Sequence, residues 1–146
     1  MVKALDSGLQ PRHNISMYSA VTRNIQVTAL PEFLAERSNA DEDQFFWVYT
    51  IEIANMGDIA VQLTGRHWHI TDANGHVEEV KGAGVVGEQP VLQPGESYRY
   101  TSGCPLTTPS GIMMGHYRMI DENNDVFNIE IPAFSLDSPF AKRVLN

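Results

Sequence analysis

Phe45-Phe-Trp-Val-Tyr-Thr-Ile-Glu-Ile-Ala-Asn55 is the stretch that decides the fold of this chain. Its odd positions from 45 to 53 are all occupied by large apolar or aromatic residues, and the polar Thr50 and Glu52 stand at even positions between them. Because successive side chains of a β-strand point to opposite faces, this period of two predicts a strand with one buried face. Aromatic and β-branched residues also favour strands. We therefore expect residues 45–55 to form a central strand of the core.

Shorter stretches with the same alternation lie on both sides of this segment. Turn-forming residues such as Met56-Gly57-Asp58 and Asn74-Gly75 separate them at intervals of about 10 residues. A series of about seven or eight short strands without an amphipathic helix predicts an all-β antiparallel β-sandwich. A small β-barrel is the alternative. The other predicted strands cover residues 19–31, 60–72, 76–80, 96–104, 115–121 and 126–131.

The predicted strand of residues 60–72 changes phase in its middle. Its apolar residues lie at odd positions up to Leu63 and at even positions from Trp68 onwards. A slip of one residue moves side chains to the other face of a sheet, so this strand needs a β-bulge, and we predict it at Gly65. Trp68 then packs in the core, and the histidines on either side of it point to solvent.

Length and composition suit one cytoplasmic domain. The 146 residues are enough for one hydrophobic core. Residues 1–16 show no periodicity, and we expect a flexible extension there, followed by the domain of residues 17–146. A net charge of −8 with ten Lys plus Arg argues against nucleic acid as a partner, because binding to phosphates needs clustered basic residues.

The same composition argues against a membrane protein. No apolar run reaches the length of a membrane span, and the first residues lack the apolar core of a signal peptide. The single cysteine, Cys104, cannot form an intrachain disulfide. This favours a reducing compartment, and we expect a cytoplasmic location.

Three glycines, Gly82, Gly84 and Gly87, form the G-x-G-x-x-G pattern of dinucleotide-binding loops. In those loops a helix follows the glycines, and its N-terminus holds the phosphates. Two prolines and a glycine in residues 90–95 exclude such a helix here. We therefore interpret the glycines as turn geometry between strands.

The alternative for the same segment is a small anion nest made by successive N–H groups. Lys81 and Arg99 flank the glycines and are the cations expected beside such a nest. The ligand-binding residues of this alternative are Lys81, Gly82, Gly84, Gly87 and Arg99.

The sequence His67-Trp68-His69 places two imidazoles on one face of a strand. Such a pair can supply two ligands to a transition metal. No third or fourth ligand follows at a fixed spacing, so the sequence predicts two surface histidines, no metal site and no cofactor. Direct binding of a divalent metal through His67 and His69 is the remaining hypothesis for this pair.

Other reactive side chains form no recognisable catalytic arrangement. Cys104 and His116 are a nucleophile and a base, but nothing in the sequence orients one toward the other. The acidic residues of 121–125 lack the order of a calcium loop and predict a solvated turn. We therefore predict no catalytic residue.

The order of several motifs along the chain resembles that of the ApaG family, which is also called CorD. The resemblance runs from Met17 to Leu136 and is most specific over residues 82–104. The motifs include Phe46-Trp-Val-Tyr-Thr-Ile51, Gln62-Leu-Thr-Gly-Arg-His-Trp-His-Ile-Thr-Asp72, Gly82-Ala-Gly-Val-Val-Gly-Glu-Gln-Pro90 and Pro94-Gly-Glu-Ser-Tyr-Arg-Tyr-Thr-Ser-Gly-Cys104.

The resemblance implies a fibronectin type III-like sandwich. It also implies a bacterial protein that is linked genetically to cobalt and magnesium tolerance and is often encoded near a diadenosine tetraphosphate hydrolase. Related domains in eukaryotic F-box proteins and in a polymerase-delta-interacting protein look like interaction modules. The family brings no catalytic residues to transfer to this chain.

These observations together favour a non-catalytic module that binds another protein. Residues 82–90 are the surface that the sequence suggests for that partner, since loops of a sandwich often carry binding sites. The alternative is binding of pyrophosphate-containing nucleotides at Gly82–Gly87. Exposed edge strands also allow a homodimer.

Overall fold

The computed structural model describes residues 16–141. The predicted extension of residues 1–16 lies, apart from Ser16, outside the described residues. Within residues 16–141 the chain forms nine strands and two short 3-10 turns, and no helix is long and apolar enough to cross a membrane. The strands are β1 (Tyr18–Thr22), β2 (Ile25–Phe33), β3 (Phe45–Asn55), β4 (Val61–Asp72), β5 (Val77–Ala83), β6 (Val91–Leu92), β7 (Ser97–Leu106), β8 (Gly111–Asp121) and β9 (Val126–Leu136).

The strands form two antiparallel sheets that pack face to face. The first sheet has the order β1-β2-β3-β7, and the second has the order β5-β4-β8-β9 with β6 beside β4. The predicted β-sandwich is therefore confirmed, and the two separate sheets exclude the barrel. β3 pairs with β2 on one side and β7 on the other, as expected for a central strand.

The odd positions of β3 occupy the centre of the core. Every odd residue from Phe45 to Ile53 is at most 6% exposed. Tyr49 meets Trp68 of the second sheet edge to face, with 5.3 Å between ring centroids, and its ring lies 6.0 Å from that of Phe134. Aromatic pairs in this range stabilise beyond the area they bury. These rings join the two sheets.

The predicted bulge in β4 is confirmed. The register of β4 against β8 shifts between Leu63 and Gly65. Trp68 consequently faces the core and is 3% exposed. His67 and His69 lie on the outer face of the second sheet, as predicted, with side chains that are 23% and 39% exposed.

The single strand predicted for residues 19–31 is wrong, because the chain reverses within it. Arg23 and Asn24 adopt φ angles of 50° and 66° and join β1 to β2. Val21 therefore pairs with Gln26 and is 55% exposed instead of sharing the buried face of Ile25. The strand number rises to nine for this reason and because β6 is a two-residue strand.

Arg23 holds this turn against the other sheet. Its Nη2 lies 3.1 Å from Asp125 Oδ2 and 3.8 Å from Asp121 Oδ2. The guanidinium carbon also lies 3.9 Å from the ring centroid of Phe127, in a cation–π contact. Arg23 thus ties the β1–β2 turn to the hairpin between β8 and β9.

Replacing Trp68 with alanine tests the inward orientation that the bulge produces. We expect Trp68→Ala to lower the free energy of unfolding by about 3–5 kcal/mol, because the cavity removes aromatic contacts in both sheets. Urea denaturation measures this loss. The matched control is Val77→Ala on the neighbouring strand, where the side chain is 59% exposed and the expected change is within about 0.5 kcal/mol. Equal losses in the two variants would contradict a core position for Trp68.

The buried thiol of Cys104 gives a second prediction. Burial, with a smaller contribution from the charge of Glu78, raises the pKa of the Cys104 thiol to about 11. Since the thiolate is the reactive form, we expect folded protein to react with a disulfide reagent at pH 8 far more slowly than unfolded protein. The release of the chromophore in buffer and in guanidinium measures the two rates. Fast stoichiometric reaction of the folded protein would refute this burial.

Candidate functional site

The glycine-rich segment, residues 82–90, forms a tight hairpin on the edge of the second sheet. Strand β5 runs three residues further than predicted, so Gly82 lies in the strand and not in a loop. Val85 and Glu88 exchange two backbone hydrogen bonds of 2.8 Å, and Val86 and Gly87 turn the chain with φ angles of 42° and 82°. Gly84, with a φ angle of 63°, and Gly87 therefore serve turn geometry, which is the interpretation that the sequence favours, whereas Gly82 does not.

Arg66 fastens this segment to β4. Its Nη1 donates to the carbonyl of Gly84 at 2.9 Å and to that of Ala83 at 3.2 Å. Its guanidinium lies across Gly82, where an added Cβ would be 2.7 Å from the guanidinium carbon. A larger residue at position 82 would therefore move the end of the Arg66 side chain.

Three N–H groups of the segment donate hydrogen bonds within the domain. That of Gly84 donates to Thr64 O at 3.0 Å, and those of Val85 and Glu88 donate to each other's carbonyls. Groups that are already bonded are poor anion donors, so this geometry argues against a nest that uses the N–H groups of Gly84, Val85 and Glu88. Nucleotide binding there stays a prediction of the sequence.

The two cations predicted beside the nest lie on different sheets. Lys81 is on β5 and faces His67 across the strand pair. Arg99 is on β7 of the first sheet, where its Nη2 lies 3.7 Å from Glu52 Oε1. The fold therefore does not bring Lys81 and Arg99 together at the glycines.

A different group of residues converges on the outer face of the second sheet. β4 presents His67 and His69, and the register of β5 places Glu79 opposite His69. In the described part of the chain, these three side chains form the one group of three or more His, Cys, Asp or Glu whose ligand atoms all lie within 4.8 Å of one another. We call His67, His69 and Glu79 the histidine–glutamate cluster.

The contacts inside the histidine–glutamate cluster are short. His67 Nε2 lies 3.1 Å from Glu79 Oε1 and 3.2 Å from His69 Nε2. His69 Nε2 lies 4.0 Å from Glu79 Oε2. The hydrogen bond from His67 lowers the pKa of the Glu79 carboxyl, which therefore stays ionised near neutral pH.

His116 of β8 stands beside this cluster. It pairs with His67 across the strands, and the two ring centroids are 5.0 Å apart. Burial lowers the pKa of His116, and the charges of His67 and His69 lower it further. The close approach of β8 requires Gly115, since a Cβ there would lie 2.0 Å from His67 O.

An apolar patch borders the cluster on the same face. Val77, Ile112 and Met114 are 59%, 45% and 44% exposed. Val77 and Ile112 both pair with Thr71, and Met114 pairs with His69. These three residues, which we call the outer apolar patch, thus lie side by side across β5, β4 and β8.

The other candidate groups do not assemble into a site. Cys104 is buried in the first sheet, whereas His116 lies on the second, so the nucleophile and base considered above do not meet. Asp121 is buried, not solvated as predicted, and its Oδ1 accepts N–H bonds from Asn123 and Asp125. That carboxylate closes the β8–β9 turn.

Sequence reasoning missed Glu79 as a member of the histidine cluster. The available signal was the hairpin around Asn74-Gly75. Asp72 N–H bonds to His76 O across residues 73–75, and counting outward from this pair brings His69 opposite Glu79. A hairpin register depends on its turn length, so the third side chain was predictable only once that turn was known.

The two sheets define an immunoglobulin-like sandwich of the fibronectin type III kind, in which β5-β4-β8-β9 corresponds to the C′CFG sheet. The sequence profile of the ApaG domain matches residues 35–121. The chain therefore belongs to the ApaG family, as the motifs suggested.

Individual relatives are similar to this chain along most of their length. Protein ApaG of Beijerinckia indica is 70% identical over 130 residues, which cover 89% of this chain and 100% of the relative. Protein ApaG of Agrobacterium fabrum is 61% identical over the same shares of the two chains. The crystal structure of an ApaA protein from Bordetella pertussis matches with a TM-score of 0.78 at 44% identity, covering 80% of this chain and 95% of that one. None of these names states an activity or a ligand.

Two glycine substitutions separate the steric from the conformational role of the glycine-rich segment. An added Cβ at Gly84, where φ is +63°, would lie 2.1 Å from Glu88 O, whereas one at Gly87, where φ is +82°, would meet nothing within 4 Å. We expect Gly87→Ala to cost about 1–2 kcal/mol from backbone strain alone and Gly84→Ala to cost clearly more. Thermal or urea unfolding measures both. A Gly87→Ala variant that is the less stable of the two would contradict this assignment.

Proposed function

We propose that this ApaG-family protein is a non-catalytic module that binds another protein through the outer face of its second sheet. The observation that carries the proposal is the outer apolar patch, in which Val77, Ile112 and Met114 are each more than 40% exposed and adjoin one another. Exposed apolar side chains that cluster on one face mark interaction surfaces, whereas scattered ones are ordinary.

The position of the patch favours contact through the face of the sheet. β5 is the edge strand, and it carries the charged residues Glu78, Glu79 and Lys81. Charged side chains on an edge oppose the addition of a further strand. We therefore expect a partner with a complementary apolar surface to bind the face formed by β5, β4 and β8 and not the edge of β5.

The glycine-rich segment supports a partner site less well than this face. Its carbonyls at Ala83 and Gly84 already accept from Arg66, and Gly84 N–H donates to Thr64. Val86 at the turn is 56% exposed, but it is a single side chain.

The cobalt and magnesium tolerance and the cytoplasmic location that the sequence suggested are retained as parts of this proposal.

Site-specific photocrosslinking tests the proposed surface. A photoreactive amino acid replaces Met114 in the outer apolar patch, and the control carries it at Val21, which is 55% exposed on the first sheet. We expect irradiation in cells of the native host to give a discrete heterologous adduct from position 114 and none from position 21. Addition of Ile112→Lys should abolish that adduct.

Three results would overturn the proposal. They are identical adducts from the two positions, no adduct from position 114, and an adduct that is insensitive to Ile112→Lys. An adduct of twice the chain mass from position 114 would instead identify a second copy of this chain as the partner.

A further inference from the structure

We infer that His67, His69 and Glu79 form a binding site for a divalent transition-metal ion, with Zn²⁺ as the ion that fits the donor set best. Two imidazole nitrogens and one carboxylate are a ligand set that proteins use for Zn²⁺ when a fourth position is left open. This inference concerns the face described above but does not depend on the proposed partner.

The spacing of the three ligand atoms suits a single ion. Zn²⁺ bonds of about 2.0–2.2 Å in a tetrahedral arrangement separate the ligand atoms by about 3.3–3.6 Å. His67 Nε2 lies 3.1 Å from Glu79 Oε1 and 3.2 Å from His69 Nε2, and His69 Nε2 lies 4.0 Å from the other carboxylate oxygen, Oε2. One ligand atom from each of the three residues lies within 4.8 Å of the other two. Small rotations of these side chains would bring one atom of each residue to the spacing of a tetrahedral site.

Hydrogen bonding alone does not account for this arrangement well. A ring nitrogen offers either one proton or one lone pair in the ring plane. His67 Nε2 has two partners at nearly the same distance, Glu79 Oε1 at 3.1 Å and His69 Nε2 at 3.2 Å. At most one of these contacts is a well-directed hydrogen bond. A cation between the three side chains would satisfy both nitrogens and the carboxylate at once.

The backbone holds the three side chains in place. β4 lies between β5 and β8, so the histidines stand on a strand that is paired on both sides. Trp68 between them is buried in the core and fixes which way both histidines point. The ring of His116 packs against that of His67, with 5.0 Å between centroids. A site on a rigid sheet needs little reorganisation when the ion binds.

The fourth position of the site would face outward. The side chains of His67, His69 and Glu79 are 23%, 39% and 53% exposed, so the outer side of the cluster is open to water or to a donor from another molecule. Met114 pairs with His69 and borders this open side. The geometry therefore assigns a three-ligand site with one exchangeable position.

Calorimetric titration of ZnCl₂ into the tag-free, chelator-treated full chain tests the inference. We expect saturable binding with one ion per chain in the wild type. His67→Ala and His69→Ala should each weaken it by more than about tenfold, because loss of a ligand exceeds the effect of losing an outer-shell contact. The matched control is His76→Ala, which removes a histidine that is 82% exposed at the turn after β4 and should leave binding unchanged.

Glu79→Gln separates the effect of the negative charge at position 79 from the effect of the side-chain shape. The amide keeps a hydrogen-bonding oxygen but removes the charge, so we expect weaker binding with an unchanged fold. Nitrogen-15 NMR of the imidazole rings gives a second readout: the Nε2 resonances of His67 and His69 should shift at one equivalent of Zn²⁺, and those of His76 should not.

The inference is overturned by any of three outcomes. Equal affinity in His67→Ala and the wild type would place the ion elsewhere. Equal losses in His76→Ala and His67→Ala would indicate non-specific binding to exposed histidines. Absence of saturable binding in the wild type would leave the cluster as a hydrogen-bonded group only. The circular dichroism spectrum of each variant checks that it is folded.

Discussion

One extra residue in β4, between Leu63 and Gly65, decides which way every later side chain of that strand points. With it, Trp68 enters the core and joins the aromatic rings of the first sheet. Without it, the tryptophan would lie in water, and the two histidines would enter an apolar interior where their nitrogens would lack partners, which is costly. The same bulge therefore places Trp68 in the core and the two histidines on the outer face of the second sheet.

The features that the sequence predicts well are those with a local cause. The alternation along β3 and the phase change before Trp68 follow from the period of a strand, and both are present in the structure. The β1–β2 turn was missed because Arg23-Asn24 lacks the Asn-Gly or Asp-Gly signature of a tight hairpin. Asn tolerates the left-handed conformation, and the contacts of Arg23 with Asp125 and Phe127 hold the turn from the other sheet. Such a tertiary cause is invisible to a local pattern.

The candidate sites divide in the same way. The glycine pattern was visible in the sequence, but Arg66, which occupies the space beside Gly82 and binds the segment's carbonyls, was not singled out. Arg66 thus contacts the carbonyls of the segment, whereas an anion nest would depend on its N–H groups. Glu79 reaches His69 through the pairing of β5 with β4, which depends on the turn between them. The sequence of one strand shows which residue types are present. Predicting which side chains come together in space also requires the pairing register of two or three strands.

The link made by Arg23 has a consequence for how this domain acquires its structure. Arg23 and Asp125 are separated by 102 positions along the chain. Contacts between residues so distant in sequence require closure of a long loop, and domains rich in them fold slowly compared with helical proteins. During synthesis, β1 and β2 emerge long before the β8–β9 hairpin that anchors their turn. The contacts of Arg23 with Asp125 and Phe127 can therefore form only after the start of β9 has been synthesised, late in chain elongation.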